Sequence, residues 1–229
     1  MAGSATPAGD AAGSGRRQPR GPRWERRKDQ RPSELLDAAL TLFVERGYAT
    51  TRLEDVAARA GVSKGTLYLY YTNKEELLKA VVNTSIVPLI AQSRADIEQD
   101  QGNTGDLLTR FLETWWLRFG GTRLAGIMKL VVAESGNFPE VARFFNDEVV
   151  TPHMQLIESI LARGVASGEL HCPNLPATVN SIMAPLVLKA IWANSIENCC
   201  GPGKVEPLVF IRHHLDLVLR ALRNTPAAP

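Results

Sequence analysis

The sequence predicts an all-α protein, with a small N-terminal helical unit followed by a larger helical body. Three observations carry that prediction. From Pro32 onward apolar residues recur at helical spacing, as in Leu35, Leu36, Ala39, Leu40, Phe43 and Val44. Glycine and proline punctuate the pattern at helix-length intervals. No segment alternates apolar and polar residues with the period of two expected of a half-buried strand. The chain has 229 residues, 45% of them apolar and 22% charged, the composition of a globular protein that buries a core. Its length suits one large domain, or a small and a medium one.

Residues 1–30 are rich in Gly, Ala, Pro, Ser and Arg, with Trp24 as their one aromatic residue. Such a stretch buries too little apolar surface to offset chain entropy and reads as a disordered arm. Residues 1–31 hold eight Lys/Arg against three acidic residues, a net +5; the other 198 hold 18 basic and 21 acidic residues, a net −3. A basic arm on a mildly acidic body suits a polyanion near the arm, and it equally suits a solvated tail.

The first helix is expected over 32–46, with Pro32 in its first turn and Gly47 just past its end. Thr51-Arg52-Leu53-Glu54 has the form of a capping box opening a second helix over 52–60. Gly61 closes it through a left-handed turn. Ser63 caps a third helix over 64–70. Asn73 and Glu76 cap a fourth, running from Lys74 into the nineties with a kink at Pro88. Further helices are expected over 104–119, 122–135, 138–150, 152–168, 176–196 and 205–223. The resulting division is an arm (1–30), a helix-turn-helix unit (31–78), a helical body (79–224) and a flexible tail (225–229).

Gly61-Val62-Ser63 joins two short helices that carry small or apolar residues where they would cross, at Val56, Ala57, Val62, Leu67 and Tyr70. This is helix-turn-helix architecture. A packed hairpin of no further consequence is the bland alternative, and the combined capping, turn and crossing residues argue against it. Leu67 and Tyr70 (i, i+3) should point inward, whereas Tyr71 suits core and contact equally. Lys64, Gly65, Thr66 and Tyr68 are left on the outer face. A helix of this kind enters the DNA major groove with its N-terminal residues at base edges. Thr51 and Lys74 flank it, where they can clamp phosphates.

The run GYATTRLEDVAARAGVSKGTLYLYYTNKEELLKAVV, residues 47–82, resembles the DNA-binding region of the tetracycline-repressor (TetR) family of bacterial transcription regulators. The similarity covers about residues 32–82, in the family's order and spacing. Tyr71-Thr72 is a small departure, since many members have Phe followed by a different residue. The resemblance implies an all-α fold and a ligand-sensing, dimerising body. By matching position it implies DNA contacts at Thr51, Ser63, Lys64, Gly65, Thr66, Tyr68, Tyr70 and Lys74. KLVVAESGNFPEVARFF, residues 129–145, is similar to a C-terminal type found among efflux-pump-repressor-like members.

The body is rich in Trp, Phe and Met. Such stripes more often form plain core than pocket, yet adaptable apolar walls suit a small-molecule sensor. The candidate ligand-binding set is Trp115, Phe119, Met128, Phe145 and Met183. The helices near 176–196 and 205–223 carry broad apolar faces at Ile182, Leu186, Ile191, Val209, Leu215, Val218, Leu219 and Leu222. In the family two such helices from each subunit pair into a four-helix interface, which implies a homodimer suited to a palindromic double-stranded DNA operator.

Other signals are set aside. No apolar run reaches the roughly 18 residues of a membrane helix, since Pro185 and Lys189 interrupt the best candidate, Ile182–Ala193. The N-terminus lacks the apolar core of a signal peptide, and three cysteines suggest free thiols in a reducing, cytoplasmic setting. Cys199-Cys200 with His171 and Cys172 could bind a thiophilic metal, but ordinary loop thiols are the better reading. His213 and His214 diverge on one helix, and His153 has no partner at ligand spacing. GPGK at 201–204 lacks the spacing of a phosphate loop. The expected function is therefore a sequence-specific DNA-binding regulator, a repressor answering to a small-molecule effector, with no cofactor or metal and no catalytic residues. The rivals are a helical small-molecule-binding protein without DNA binding and, more remotely, a helical enzyme.

Overall fold

The structure, a computed structural model, describes the backbone of residues 23–223 apart from positions 202 and 204. Among these residues there are helices and no named strand; one isolated antiparallel bridge joins Leu170 to Arg223. The N-terminal unit comprises α1 (Arg23–Arg46), α2 (Leu53–Arg59), α3 (Lys64–Tyr68) and α4 (Lys74–Ser85). The body continues with α5 (Val87–Gln99), α6 (Thr104–Trp115), α7 (Ala125–Glu134), α8 (Pro139–Phe145), α9 (Thr151–Ala166), α10 (Leu175–Ala193), α11 (Glu197–Cys200) and α12 (Pro207–Leu222). Two short π-helical segments extend α6 and lead into α9, at Trp116–Gly120 and Asn146–Val150.

Three expectations need correction here. Helix α1 begins at Arg23, so residues 23–30 are helical instead of disordered, and Pro32 lies inside the helix. Glu25, Arg26, Arg27, Lys28 and Gln30 are all good helix formers, and composition alone hid this. The rest of the basic arm and the expected tail lie outside the described residues. The fourth helix is also two helices: α4 stops at Ser85 and α5 restarts at Val87, with Pro88 in its first turn. Proline lacks an N–H and crowds the carbonyl four residues back, so the ladder breaks there instead of bending. Finally, α10 is long and apolar enough, by length and composition, to cross a bilayer. Neither Pro185 nor Lys189 interrupts it as a helix. It packs on α7, α9 and α12.

The N-terminal unit is built on α1. Its buried Leu35, Ala39, Leu42 and Phe43 meet Leu53, Val56 and Ala57 of α2, Leu67 of α3, and Leu77, Leu78 and Val81 of α4 in one continuous core. The unit sits tightly on the body. A Cβ added to Gly126 of α7 would lie 2.6 Å from a Val44 methyl on α1, so glycine lets the two helices close. Beside this contact Arg123 pairs with Asp37 and donates to Thr41 Oγ1 at 3.1 Å.

Candidate nucleic-acid interface and ligand cavity

The turn between α2 and α3 follows from its residues. Gly61 takes φ +67°, a left-handed conformation that costs glycine little. Val62 N then donates to Ala57 O and Gly61 N to Ala58 O, closing the end of α2. Ser63 is extended, and its Oγ accepts from Thr66 N at 3.1 Å, which starts α3. With five residues α3 is too short to persist alone. Fully buried Leu67 pins it to the unit's core. The next helix is held by a cap pair: Glu76 N donates to Asn73 Oδ1, while Glu76 Oε2 accepts from Thr72 N and Thr72 Oγ1.

The outer face of α3 presents Lys64, Gly65, Thr66 and Tyr68, all exposed except the partly buried Thr66. Lys64 Nζ rests 2.6 Å from Glu54 Oε1 of α2 and 5.6 Å from the centre of the Tyr68 ring. This hydrogen bond raises the Lys64 pKa and lowers that of Glu54. A Cβ added to Gly65 would meet nothing closer than Ser63 Oγ at 3.8 Å. Packing within the chain therefore does not require glycine here, although glycine in a helix costs about 0.5–1 kcal/mol relative to alanine. The space in front of it is open to a close-approaching partner.

Two of the residues flanking α3 turn inward instead. Thr51 is 2% exposed, and its single hydroxyl hydrogen is shared between the carbonyls of Gly47 (2.7 Å) and Leu42 (3.2 Å). The capping box expected at Thr51–Glu54 does not form, because Arg52 is the N-cap and makes no side-chain cap bond. Buried carbonyls at the end of α1 claim the hydroxyl first. Lys74 is half-buried. Its ammonium donates to the carbonyls of Tyr48 (2.5 Å) and Ala49 (3.0 Å) and stands 4.5 Å over the Tyr48 ring. Burial lowers its pKa. The Tyr48 ring packs edge-on against Phe138 of the body at 4.8 Å, and burial pushes its phenol pKa up to about 12. Ala49 N donates to Glu134 Oε1 at 3.3 Å. Thr51, Tyr48 and Lys74 thus form a joint between the α1–α2 loop, α4 and the body.

Tyr70, expected inward from its spacing, is 38% exposed. Helix α3 ends at Tyr68, so the i, i+3 relation to Leu67 lapses, and Tyr71 packs against the core in its place. Leu69, which sequence reasoning passed over, is 85% exposed between Tyr68 and Tyr70. The three make an apolar edge at the end of α3.

In the body the structure brings Trp115, Phe119, Met128, Phe145 and Met183 together around one cavity of about 180 Å³. Val149, Val150, His153, Met154, Asn180, Ala184 and Val187 complete its walls. The two π segments build it, one supplying Phe119 and the other Val149 and Val150. A π turn inserts a residue into the helical register, which re-aims the side chains that follow, and such turns cluster at functional sites. A second, smaller cavity of about 40 Å³ shares Trp115, Phe119, Val149 and His153 and reaches Ile86, between α4 and α5, and Ile90 on α5. Sequence reasoning missed His153 as a wall residue. The available signal was a histidine on the apolar face that also carries Leu156, Ile157 and Ile160.

Two family models match this chain: "Bacterial regulatory proteins, tetR family" over residues 35–81 and "AefR-like transcriptional repressor, C-terminal domain" over residues 106–195. The chain is also 34% identical, over 202 residues, to the HTH-type transcriptional regulator TtgR of Pseudomonas putida, an alignment covering 85% of this chain and 92% of that protein.

It belongs to the TetR family. As a member it is a DNA-binding transcriptional regulator. A second relative, the fatty acid metabolism regulator protein of Bacillus subtilis, is 28% identical over 145 residues, which is 62% of this chain and 73% of the relative. Among solved structures, the transcriptional regulator FadR from Bacillus subtilis in complex with stearoyl-CoA superposes with a TM-score of 0.69. That superposition covers 82% of this chain and 97% of the other at 22% identity, a likeness of fold. The helix-turn-helix unit of this TetR-family chain thus has the family's layout, and its cavity lies within the segment matched by the C-terminal family model.

Proposed function

We propose that this regulator is a cytoplasmic repressor that binds a palindromic operator as a homodimer and leaves it when a small apolar effector fills the body cavity. In this reading Ser63, Lys64, Gly65, Thr66, Tyr68 and Tyr70 meet DNA, while Thr51 and Lys74 act mainly by positioning the reading unit. The unit spans about residues 31–78 and the sensing body 79–224. The observation that carries the reading is the outer face of α3: solvent-facing Lys64 and Tyr68 with an unobstructed Gly65 between them.

The dimer surface follows from what the subunit leaves uncovered. Ile182, Leu186, Leu215, Leu219 and Leu222, from the broad apolar faces expected on these helices, pack inside the subunit between α10 and its neighbours. The exposed stripe is Ala177, Ser181, Ala184, Leu188 and Trp192 on α10, with Val209 and Leu217 on α12. Small residues followed by large apolar ones suit a self-complementary helix-pair interface. This also explains why α10 is apolar on more than one face.

Support for an apolar effector comes from the cavity's walls and from the stearoyl-CoA bound by the structurally similar FadR. Binding would favour the subunit arrangement that misplaces the two α3 helices, and its differential affinity for the two states would set the size of the switch. The test is operator affinity by fluorescence anisotropy, using fragments selected from genomic DNA. Gly65→Ala should raise stability by about 0.5–1 kcal/mol and still weaken operator binding by tenfold or more. Tyr68→Ala should weaken it comparably without changing stability. Unchanged affinity in both variants would refute the docking of α3.

A further inference from the structure

The single helical turn α11 is closed on itself by its own backbone. Cys199 N and Cys200 N both donate to Ile196 O, at 3.1 and 2.9 Å, and Gly201 N donates to Glu197 O at 3.0 Å. Gly201 then takes φ +78° and leaves the helix. The Glu197 carboxylate reaches past the turn and accepts from Gly203 N at 3.2 Å. Cys199 and Cys200 are exposed on this turn as free thiols, with their sulfurs 3.4 Å apart. Cys199 Sγ also donates to Ile196 O at 3.1 Å. The expectation of ordinary loop thiols therefore needs revision: the two residues form a paired dithiol on a tied turn. His171 and Cys172 do not complete it as a metal centre, since among the described residues no three His, Cys, Asp or Glu side chains gather in that way.

Such a pair can close directly or through a third atom. Direct closure is disfavoured, because neighbouring Cα atoms lie about 3.8 Å apart across a trans peptide, short of the roughly 4.4–6.8 Å that disulfides span. A single soft atom bonded to both sulfurs needs no backbone movement. With bonds of about 2.3 Å, sulfurs 3.4 Å apart subtend roughly 95° at the bridging atom. At that bond length a linear centre would need them about 4.6 Å apart, and a tetrahedral one about 3.8 Å. An angle near 95° is that of a pyramidal trivalent centre with a lone pair, of which arsenic(III) is the thiophilic case. From this geometry we infer that Cys199 and Cys200 form a binding site for a monosubstituted trivalent organoarsenical, R–As(OH)₂. Two sulfurs and the organic group complete its three bonds, so two thiols suffice. Inorganic arsenite lacks that organic group, takes only two of its three bonds from this pair, and binds more weakly. On binding, two As–O bonds break and two As–S bonds form. The thiol protons leave with the hydroxyls as two waters, arsenic stays trivalent, and no sulfur is oxidised. The second As–S bond closes within the molecule, which gives the pair the effective-concentration gain of a chelate.

The experiment titrates phenylarsine oxide, which hydrates to such a compound, into the reduced full-length protein, and follows intact mass and the number of thiols still open to a chromogenic disulfide. Wild type should take up one phenylarsenic group, lose two reactive thiols, and release the group to 2,3-dimercaptopropanol but not to a monothiol at the same thiol concentration. Cys199→Ser and Cys200→Ser should each weaken binding by about a hundredfold or more, the scale of a lost second attachment. Cys172→Ser should bind as wild type does. Both changed thiols are exposed, so the serine variants should melt with wild type. Arsenite should bind at least tenfold more weakly than phenylarsine oxide, and equimolar zinc should not displace the arsenical. Binding that survives the loss of Cys199 or Cys200, or that needs Cys172, would overturn the site. Arsenite binding as tightly as phenylarsine oxide, or displacement by equimolar zinc, would overturn the assigned ligand class.

Discussion

The α1–α4 unit and the cavity region of the body are both helical, yet they are assembled on opposite terms. In the unit the polar groups at helix ends and in the loops are paired: the Thr51 hydroxyl is shared between two carbonyls, Ser63 caps α3, Asn73 and Glu76 cap α4, and Lys74 closes the loop carbonyls of Tyr48 and Ala49. Its core at Leu35, Phe43, Leu67 and Leu77 is fully buried. The cavity region instead contains open volume, two π segments and a buried histidine whose Nε2 has no hydrogen-bond partner among the described residues. A helix that must present side chains to a rigid duplex gains from a fixed platform. A region that must answer to a ligand keeps a minimum that the ligand can improve.

The largest way to break this comparison is to loosen the unit. Leu67→Ala should cost about 2–5 kcal/mol, because Leu67 is the principal buried anchor of a five-residue helix. Urea denaturation would measure the loss. Shortening a wall of the cavity, as in Met183→Ala, should cost less than the lower end of that range, because a void already adjoins the side chain and few packing contacts are lost. Equal losses at the two sites would remove the contrast.

The second test uses pH. The folded pKa of His153 lies near 4, below its ordinary value near 6.5, because burial disfavours the charged ring. Between those values the unfolded chain binds more protons than the folded one. The stability due to neutral His153 is thus fully present above about pH 6.5 and is lost as pH falls toward 4. The lost amount is on the order of 3 kcal/mol. Urea midpoints of wild type should fall over that window more steeply than those of His153→Leu. Parallel profiles would show that the imidazole is not desolvated as described.

These two regions also differ in how far the sequence discloses them. The reading unit is legible because its signals are local: Gly61 at positive φ, Ser63 three residues before Thr66 N, and Asn73 three before Glu76 N. Where a local signal competes with a distant partner, the local reading is incomplete. Thr51 has the form of a cap, but carbonyls of Leu42 and Gly47 claim its hydroxyl. Lys74 has the local form of a phosphate clamp, and the folded chain also engages its ammonium with the carbonyl of Tyr48, 26 positions away, which no local signal shows. Aromatic and methionine stripes indicated the candidate cavity residues as a group. The π turns that aim them, and the burial of His153 between two cavities, depend on packing that no short window of sequence contains. The same holds for α10, whose inward Leu186 and outward Leu188 are both apolar.

Lys74 offers a smaller and sharper test of the joint between the regions. Two of its three N–H donors are engaged by loop carbonyls, leaving one. Lys74→Ala should cost about 1–2 kcal/mol of stability, within the range for hydrogen bonds to charged groups discounted for partial exposure. The slope of log affinity against log salt for operator binding should stay as in wild type. A slope reduced by about one would mean that the remaining donor reaches a phosphate after all.

The smallest effect concerns Glu54, which holds Lys64 in the free protein. If Lys64 meets a phosphate as proposed, its ammonium would exchange one acceptor for another, so Glu54 would compete with phosphate for the same cation and add its own repulsion. Glu54→Gln should therefore raise operator affinity by about two- to threefold, as the modest strength of an exposed ion pair allows. The gain should shrink as salt screens both terms, and it should vanish in a Lys64→Ala background. A gain that survives the loss of Lys64 would assign the effect to net charge on α2 and leave Lys64 without a measurable role at the phosphate backbone.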